Sequence, residues 1–156
     1  MQAWTRAFLS WLMESKNGRE ERGEKNNHGT FFDAQAASLA LFVGDSALAR
    51  TLIGEGGRSR IASQIDAEGK QALEIARTRP LHYSVFNLDA FTMLAEMGAS
   101  CDVDLWHYTA SEGGSIAKAL LFAADRFLPL LVSGSALRDR ARRRILLTAG
   151  AECLIL

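Results

Sequence analysis

Proline is nearly absent from this chain, with 2 among 156 residues. Apolar and polar residues show no regular alternation either, and together these absences point away from an all-β fold. Net charge is missing as well: Lys plus Arg and Asp plus Glu both total 18, so the formal charge is zero. A nucleic-acid binder usually carries a basic excess, so that class is disfavoured, although a local basic patch would still be compatible. The two cysteines, Cys101 and Cys153, are far apart and have no CxxC or Cys/His cluster around them. Each reads as a free buried thiol, and no zinc site is expected. No apolar run is long enough to span a bilayer. The N-terminus lacks the basic segment and sustained apolar run of a signal peptide. Taken as it stands, the sequence is therefore expected to be cytoplasmic, with no membrane contact.

What remains is a chain that is 48% apolar and 23% charged, the balance of a globular domain. It is long enough to bury a core. Apolar spacing reads as helix throughout. Trp4, Phe8, Trp11 and Leu12 predict a first helix over residues 2–15. The charged segment 16–29, with Gly18, Gly23 and Gly29 as breakers, is expected to be a loop. Phe32, Ala36, Leu39 and Val43 mark one face of a helix over 31–43 that stops at Gly44. Asp45 or Ser46 can cap a third helix, which "GEGG" at 54–57 is expected to interrupt before Ile61 and Ile65 resume the pattern. A loop over 66–80 precedes the most apolar helix, 81–97, whose two apolar stripes predict burial on most sides. A long loop over 99–114 and a helix over 115–128 follow.

Two polar segments stand out. In "KNNHGT", Asn26, Asn27 and His28 open the second helix. They admit a plain reading, in which Asn27 or Thr30 caps the helix and His28 lies on the surface. They also admit a sharper one, an anion site made of helix N–H groups and Asn donors beside a titratable imidazole. In "EIARTRPLHYSVFN", Arg77 and Arg79 precede a buried helix that His82 and Tyr83 open. Arginine offers a planar fork for a carboxylate or phosphate. A tyrosine beside cations can serve as a base and then as an acid. The plain reading pairs Arg77 with Glu74 and puts the Tyr83 ring in the core.

Weaker signals resolve simply. "GEGG" is no phosphate loop, since no Gly-Lys-Ser/Thr follows it and no strand precedes it. "SEGGS" reads as a turn and cap. "DVDLWHY", residues 102–108, lacks metal-ligand spacing and reads as a structured loop with Leu105 and Trp106 inserted in the core. "RDRARRR" near the end reads as a solvated face or a disordered tail.

Taken together, the Asn-Asn-His motif and Arg-Thr-Arg-x-x-His-Tyr-Ser-x-Phe-Asn resemble the alginate lyase superfamily, helical-toroid polysaccharide lyases acting on uronate polymers. The resemblance covers roughly residues 3–128. It implies an all-α fold, an incomplete (α/α) toroid of antiparallel helix pairs. Residues 1–132 would form a partial domain of a longer family domain, with 133–156 as a divergent or poorly ordered tail.

By the same resemblance, Asn27, His28, Arg77 and Tyr83 would face one groove as the catalytic set. Asn26, Arg79, His82 and Glu21 would contact substrate. The partner would be an acidic polysaccharide, and no cofactor or metal would be required. A full-length form would be periplasmic or secreted. The alternative is a helical domain without catalysis that binds acidic saccharides or a partner chain.

Overall fold

In the computed structural model of the protein, residues 1–131 are described, and every regular element among them is helical. The expected tail over 133–156, with its arginine run and Cys153, lies outside the described residues.

Helix α1 (Gln2–Glu14) buries Leu9 and Leu12. Its opposite face shows Trp4 and Trp11 to solvent, and Phe8 is stacked between them at 5.4 and 5.8 Å. The loop expected over 16–29 is instead mostly helix: α2 (Lys16–Gly23) starts at once, with the Ser15 hydroxyl accepting from the Gly18 N–H at 3.0 Å. Gly18 is not a breaker. A Cβ there would run into the Leu12 carbonyl, so glycine is what allows the α1–α2 corner to close.

Helix α3 (Asn27–Phe42) buries Phe32, Ala36, Ala37 and Ala40 and ends before Gly44, which has a φ of +80°. Asp45 then caps α4 (Ser46–Thr51) by accepting from Leu48 N–H at 3.1 Å.

The expected break at 54–57 is a correction of a different kind. Helical backbone continues through a π-helical segment, Leu52–Gly57, into α5 (Arg58–Gln64). Such wide turns insert into helices without ending them. The glycines serve packing here: a Cβ on Gly57 would lie 2.8 Å from Leu105 Cδ1.

One turn of helix, α6 (Ala72–Ile75), sits inside the segment expected to be loop. Helix α7 (Pro80–Gly98) begins with proline in its first turn, where the missing N–H costs nothing. It buries Leu88, Phe91, Leu94 and Ala95. After a short 3₁₀ turn, Ala99–Cys101, the long loop brings Leu105 fully into the core and Trp106 partly, as the pattern predicts. Cys101 is a free, buried thiol. Helix α8 is Ile116–Leu131.

Direction follows from the side-chain pairs. Thr30 meets Gln64 and Asp33 meets Arg60, so α5 runs antiparallel to α3. Gln64 meets Asn87 and Ile53 lies against Gly98, so the α4–α5 stretch is also antiparallel to α7. Helices α3 and α7 are therefore parallel neighbours, and both start at the same end. Arg6 donates to the Val43 carbonyl, which sets α1 antiparallel to α3. The loop after α7 passes Gly54, Gly57 and Ile65 in turn, returning the chain alongside α5 to the end where α8 begins. This is an array of antiparallel helix pairs with α3 and α7 as adjacent, same-sense members.

Candidate functional site

Each letter of "NNHGT" has its own structural task. Asn26 is the N-cap of α3: its Oδ1 accepts from His28 N–H at 2.9 Å, so Asn26, rather than Asn27 or Thr30, caps this helix. Asn27 is 3% exposed, and Glu74 holds it twice. Its backbone N–H donates to Oε1 at 2.6 Å and its Nδ2 to Oε2 at 2.8 Å. His28 is half exposed, with Nδ1 at 2.7 Å from Glu21 Oε1 on α2. A Cβ on Gly29 would collide with the Glu24 carbonyl and the Arg60 guanidinium. Thr30 is fully buried and donates to Gln64 Oε1 at 3.1 Å.

The plain reading of the second motif is corrected in part. Glu74 does not pair with Arg77; its carboxylate turns to Asn27. The Arg77 guanidinium instead lies 4.2 Å from the centroid of the Tyr83 ring, a cation–π contact. Tyr83 and Arg77 are both half-buried. His82 is exposed and meets Tyr83 edge-on at 5.6 Å. It also stacks on Phe86 at 6.2 Å, and Phe86 meets Phe31 at 4.3 Å. Arg79 is exposed at the N-cap of α7, where its carbonyl accepts from Tyr83 N–H.

These contacts form a circuit. It leads from Asn27 to Glu74 and, three residues on, to Arg77. From there it passes through Tyr83, His82 and Phe86 to Phe31, one turn after His28. The first turns of α3 and α7 are thereby joined at one end of the array. Next to them lies a cavity of about 570 Å³ lined by Glu21, His28, Phe31, Gln35, Met93 and Met97.

A second set of bonds supports the first motif from behind. Asp33 and Arg60 form an ion pair at 2.8 Å, with side chains 3% and 14% exposed. The same guanidinium donates to the carbonyls of Glu24 and Arg22 at 2.6 Å each, closing the C-terminal end of α2 where Glu21 resides. Burial raises the pKa of Asp33, and the hydrogen bond and charge of Arg60 partly oppose that rise. Gln64, Gln71 and Asn87 join α5, the α6 segment and α7 through buried amides at 2.7–2.8 Å.

Glu74, Arg60 and Gln64 could not be picked out from the sequence, because their partners lie 47, 27 and 23 positions or more away. Among the described residues no three His, Cys, Asp or Glu side chains converge as a metal site. No helix there is long and apolar enough to cross a membrane.

Among the described residues the fold is an all-helical array of antiparallel pairs, and its likeness to known proteins is that of a polysaccharide lyase-like protein. The family model described as alginate lyase matches residues 1–128, and the chain belongs to that family. Among solved structures, an alginate lyase from Bacteroides ovatus is similar at 31% identity with a TM-score of 0.80. The match covers 94% of this chain and 40% of that one, so the chain spans well under half the length of that protein. A search of curated proteins found no match.

Proposed function

We propose that the protein acts on a uronate-containing polysaccharide, of the alginate or glucuronan type, and cleaves it by β-elimination. The observation that supports this reading most is that Asn27 is bonded to Glu74, three residues before the Arg77 that lies on the Tyr83 ring, while Phe31, three residues after His28, meets Phe86 of the same helix as Tyr83.

A uronate residue carries its carboxylate on C5 and its linkage oxygen on C4. A base removes the C5 proton, the electron pair becomes the C4=C5 double bond, and the C4–O bond breaks. The leaving oxygen takes up a proton. The C5 proton is weakly acidic while the carboxylate is ionised, so donors aimed at the carboxylate stabilise the charge that builds there. Arg77 and the second N–H of Asn27 suit that task. Tyr83 takes the C5 proton and returns one to the leaving oxygen.

Glu21 bears on His28 differently from the substrate contact its sequence position suggests. A carboxylate on Nδ1 holds the ring proton there and leaves Nε2 as the outward atom. His28 can then accept a proton at Nε2 as the alternative base, or donate from it when charged. Arg79 and His82, exposed beside Tyr83, suit flanking sugars. Asn26 is occupied as a cap, so its contribution to substrate is indirect. A full-length form acting on such polymers would work in the periplasm or outside the cell.

Incubation with alginate and with glucuronan tests the reading. Elimination creates a conjugated unsaturated uronate with a characteristic ultraviolet absorbance, which should rise with time. Binding of the polymer without that rise would sink the catalytic reading and leave a saccharide-binding domain.

A further inference from the structure

The circuit contains one buried carboxylate, Glu74, that the mechanism above does not use. It is 1% exposed and lies on α6, a single turn between two helices that start at the site. Both of its oxygens face Asn27, one accepting from the backbone N–H and the other from Nδ2.

A carboxylate can only accept, so the atom of the Asn27 amide turned to it must be the nitrogen. Oδ1 and the second N–H are thereby left for other partners. The backbone bond supports the same arrangement, since the Asn27 N–H is one of the N-terminal donors of α3 that lack a partner within the helix. An acidic group at that helix start is also favoured by the helix dipole.

Glu74 is itself immobilised. Gln71, three residues earlier, accepts from Asn87 Nδ2 at 2.7 Å and donates to the Ser84 carbonyl at 3.1 Å, both on α7. The carboxylate therefore ties α7, through α6, to the first residue of α3.

We propose that Glu74 is the positioning residue for Asn27, its buried carboxylate fixing which edge of the Asn27 amide faces the substrate. This rests on the lyase reading for its consequence in turnover, but not for its structural content. The substitution Glu74→Gln separates the two. A glutamine keeps the shape, and its Oε1 still accepts from the Asn27 backbone N–H. Its Nε2 then meets Nδ2 donor to donor, unless the Asn27 amide turns over to present Oδ1. The variant should fold, with the amide reversed.

The structural readout is the side-chain amide of Asn27 in ¹H–¹⁵N spectra. In the parent protein one of its protons should be shifted downfield and protected from exchange. In Glu74→Gln that shift and protection should vanish. The paired substitution of Glu74→Gln with Asn27→Asp restores a donor opposite an acceptor, so it should recover the melting temperature lost by Asn27→Asp alone.

The kinetic readout is turnover on the uronate polymer. Glu74→Gln should lower kcat by about 10²-fold, as misplacing a group in the site can do, while KM changes little. In the Asn27→Ala background the same substitution should do nothing further to kcat. A Glu74→Gln protein that keeps the parental Asn27 amide signals would overturn the proposal. So would a full kcat loss that persists without Asn27. A parent protein without lyase activity would remove the lyase reading alone, since the amide signals and the paired-substitution rescue still decide the role of Glu74.

Discussion

Asn27 and His28, on one side of the candidate site, are each held by a carboxylate from another element: Glu74 on α6 and Glu21 on α2. Behind them, Arg60 fastens the end of α2 to Asp33 on α3. On the other side, Arg77, Tyr83 and His82 are half-buried or exposed, and they touch by ring faces and edges. A buried acceptor stripped of its donor costs about 1–3 kcal/mol. A surface cation–π contact contributes about 0.5–1 kcal/mol. With Asn27 held by buried bonds and His28 by a half-exposed one, the first side is therefore the more rigid before substrate arrives, and the second can rearrange at small cost. For β-elimination this division is sensible. In the lyase reading Asn27, a donor to the carboxylate, gains from a fixed position, while Tyr83, which moves the proton, must follow the sugar ring as C5 changes shape.

The largest effect expected to sharpen this contrast is that of Tyr83→Phe. The ring packs against Arg77 and His82, and in the lyase reading the hydroxyl moves the proton. Turnover should fall about 10²–10⁴-fold. Polymer affinity and thermal stability should stay near parental values. Turnover at the parental rate would remove Tyr83 from proton transfer and make Nε2 of His28 the next candidate base.

A smaller effect separates the two sides by stability instead of rate. Asn27→Ala leaves Glu74 buried without its side-chain donor and should destabilise the fold by about 1–3 kcal/mol in urea melts. Arg77→Ala removes a contact at the surface and should cost about 0.5–1 kcal/mol. In the lyase reading Arg77→Ala weakens binding and turnover together, and Asn27→Ala falls mainly on turnover. If the two variants melted alike, the rigid and adaptable sides would not be distinct.

This contrast also explains what could be read from the sequence. The helices expected over 31–43, 81–97 and 115–128 correspond to Asn27–Phe42, Pro80–Gly98 and Ile116–Leu131. Apolar periodicity is a local signal, and it survives folding where the stripe faces the core. The glycines misled for the opposite reason. Gly18 looks like a breaker from its neighbours, yet it is needed because the Leu12 carbonyl lies against it. The glycines at 54–57 make room for Asp33 and Leu105, and the backbone there stays helical. The surface side of the site was legible, because Arg77, His82 and Tyr83 stand close in sequence. The buried side was legible only in its two letters Asn27 and His28. Glu74 sits three positions before Arg77, a spacing that suggests a local ion pair, and nothing local shows that its partner is 47 positions away.

The smallest expected effect lies deepest behind the rigid side, at Asp33. Burial is the main influence on its carboxyl and pushes its pKa above the ordinary value of 3.8, against the pull of Arg60. Between that ordinary value and its raised folded value, the folded state binds more proton than the unfolded one. The contribution of Asp33 to stability therefore increases as pH falls through the raised value, and is lost as pH rises through it. Carboxyl carbon NMR should show Asp33 titrating above the ordinary value of 3.8. Asp104 gives a reference in the same spectrum. The N–H of His107 is the main influence on it and holds it below the ordinary value. Replacing Arg60 with methionine removes the opposing pull and should move the Asp33 midpoint further upward. An Asp33 midpoint at or below that ordinary value would mean that water reaches the Asp33–Arg60 pair. The rigid side of the site would then lack the dry support that sets it apart from the Arg77–Tyr83 side.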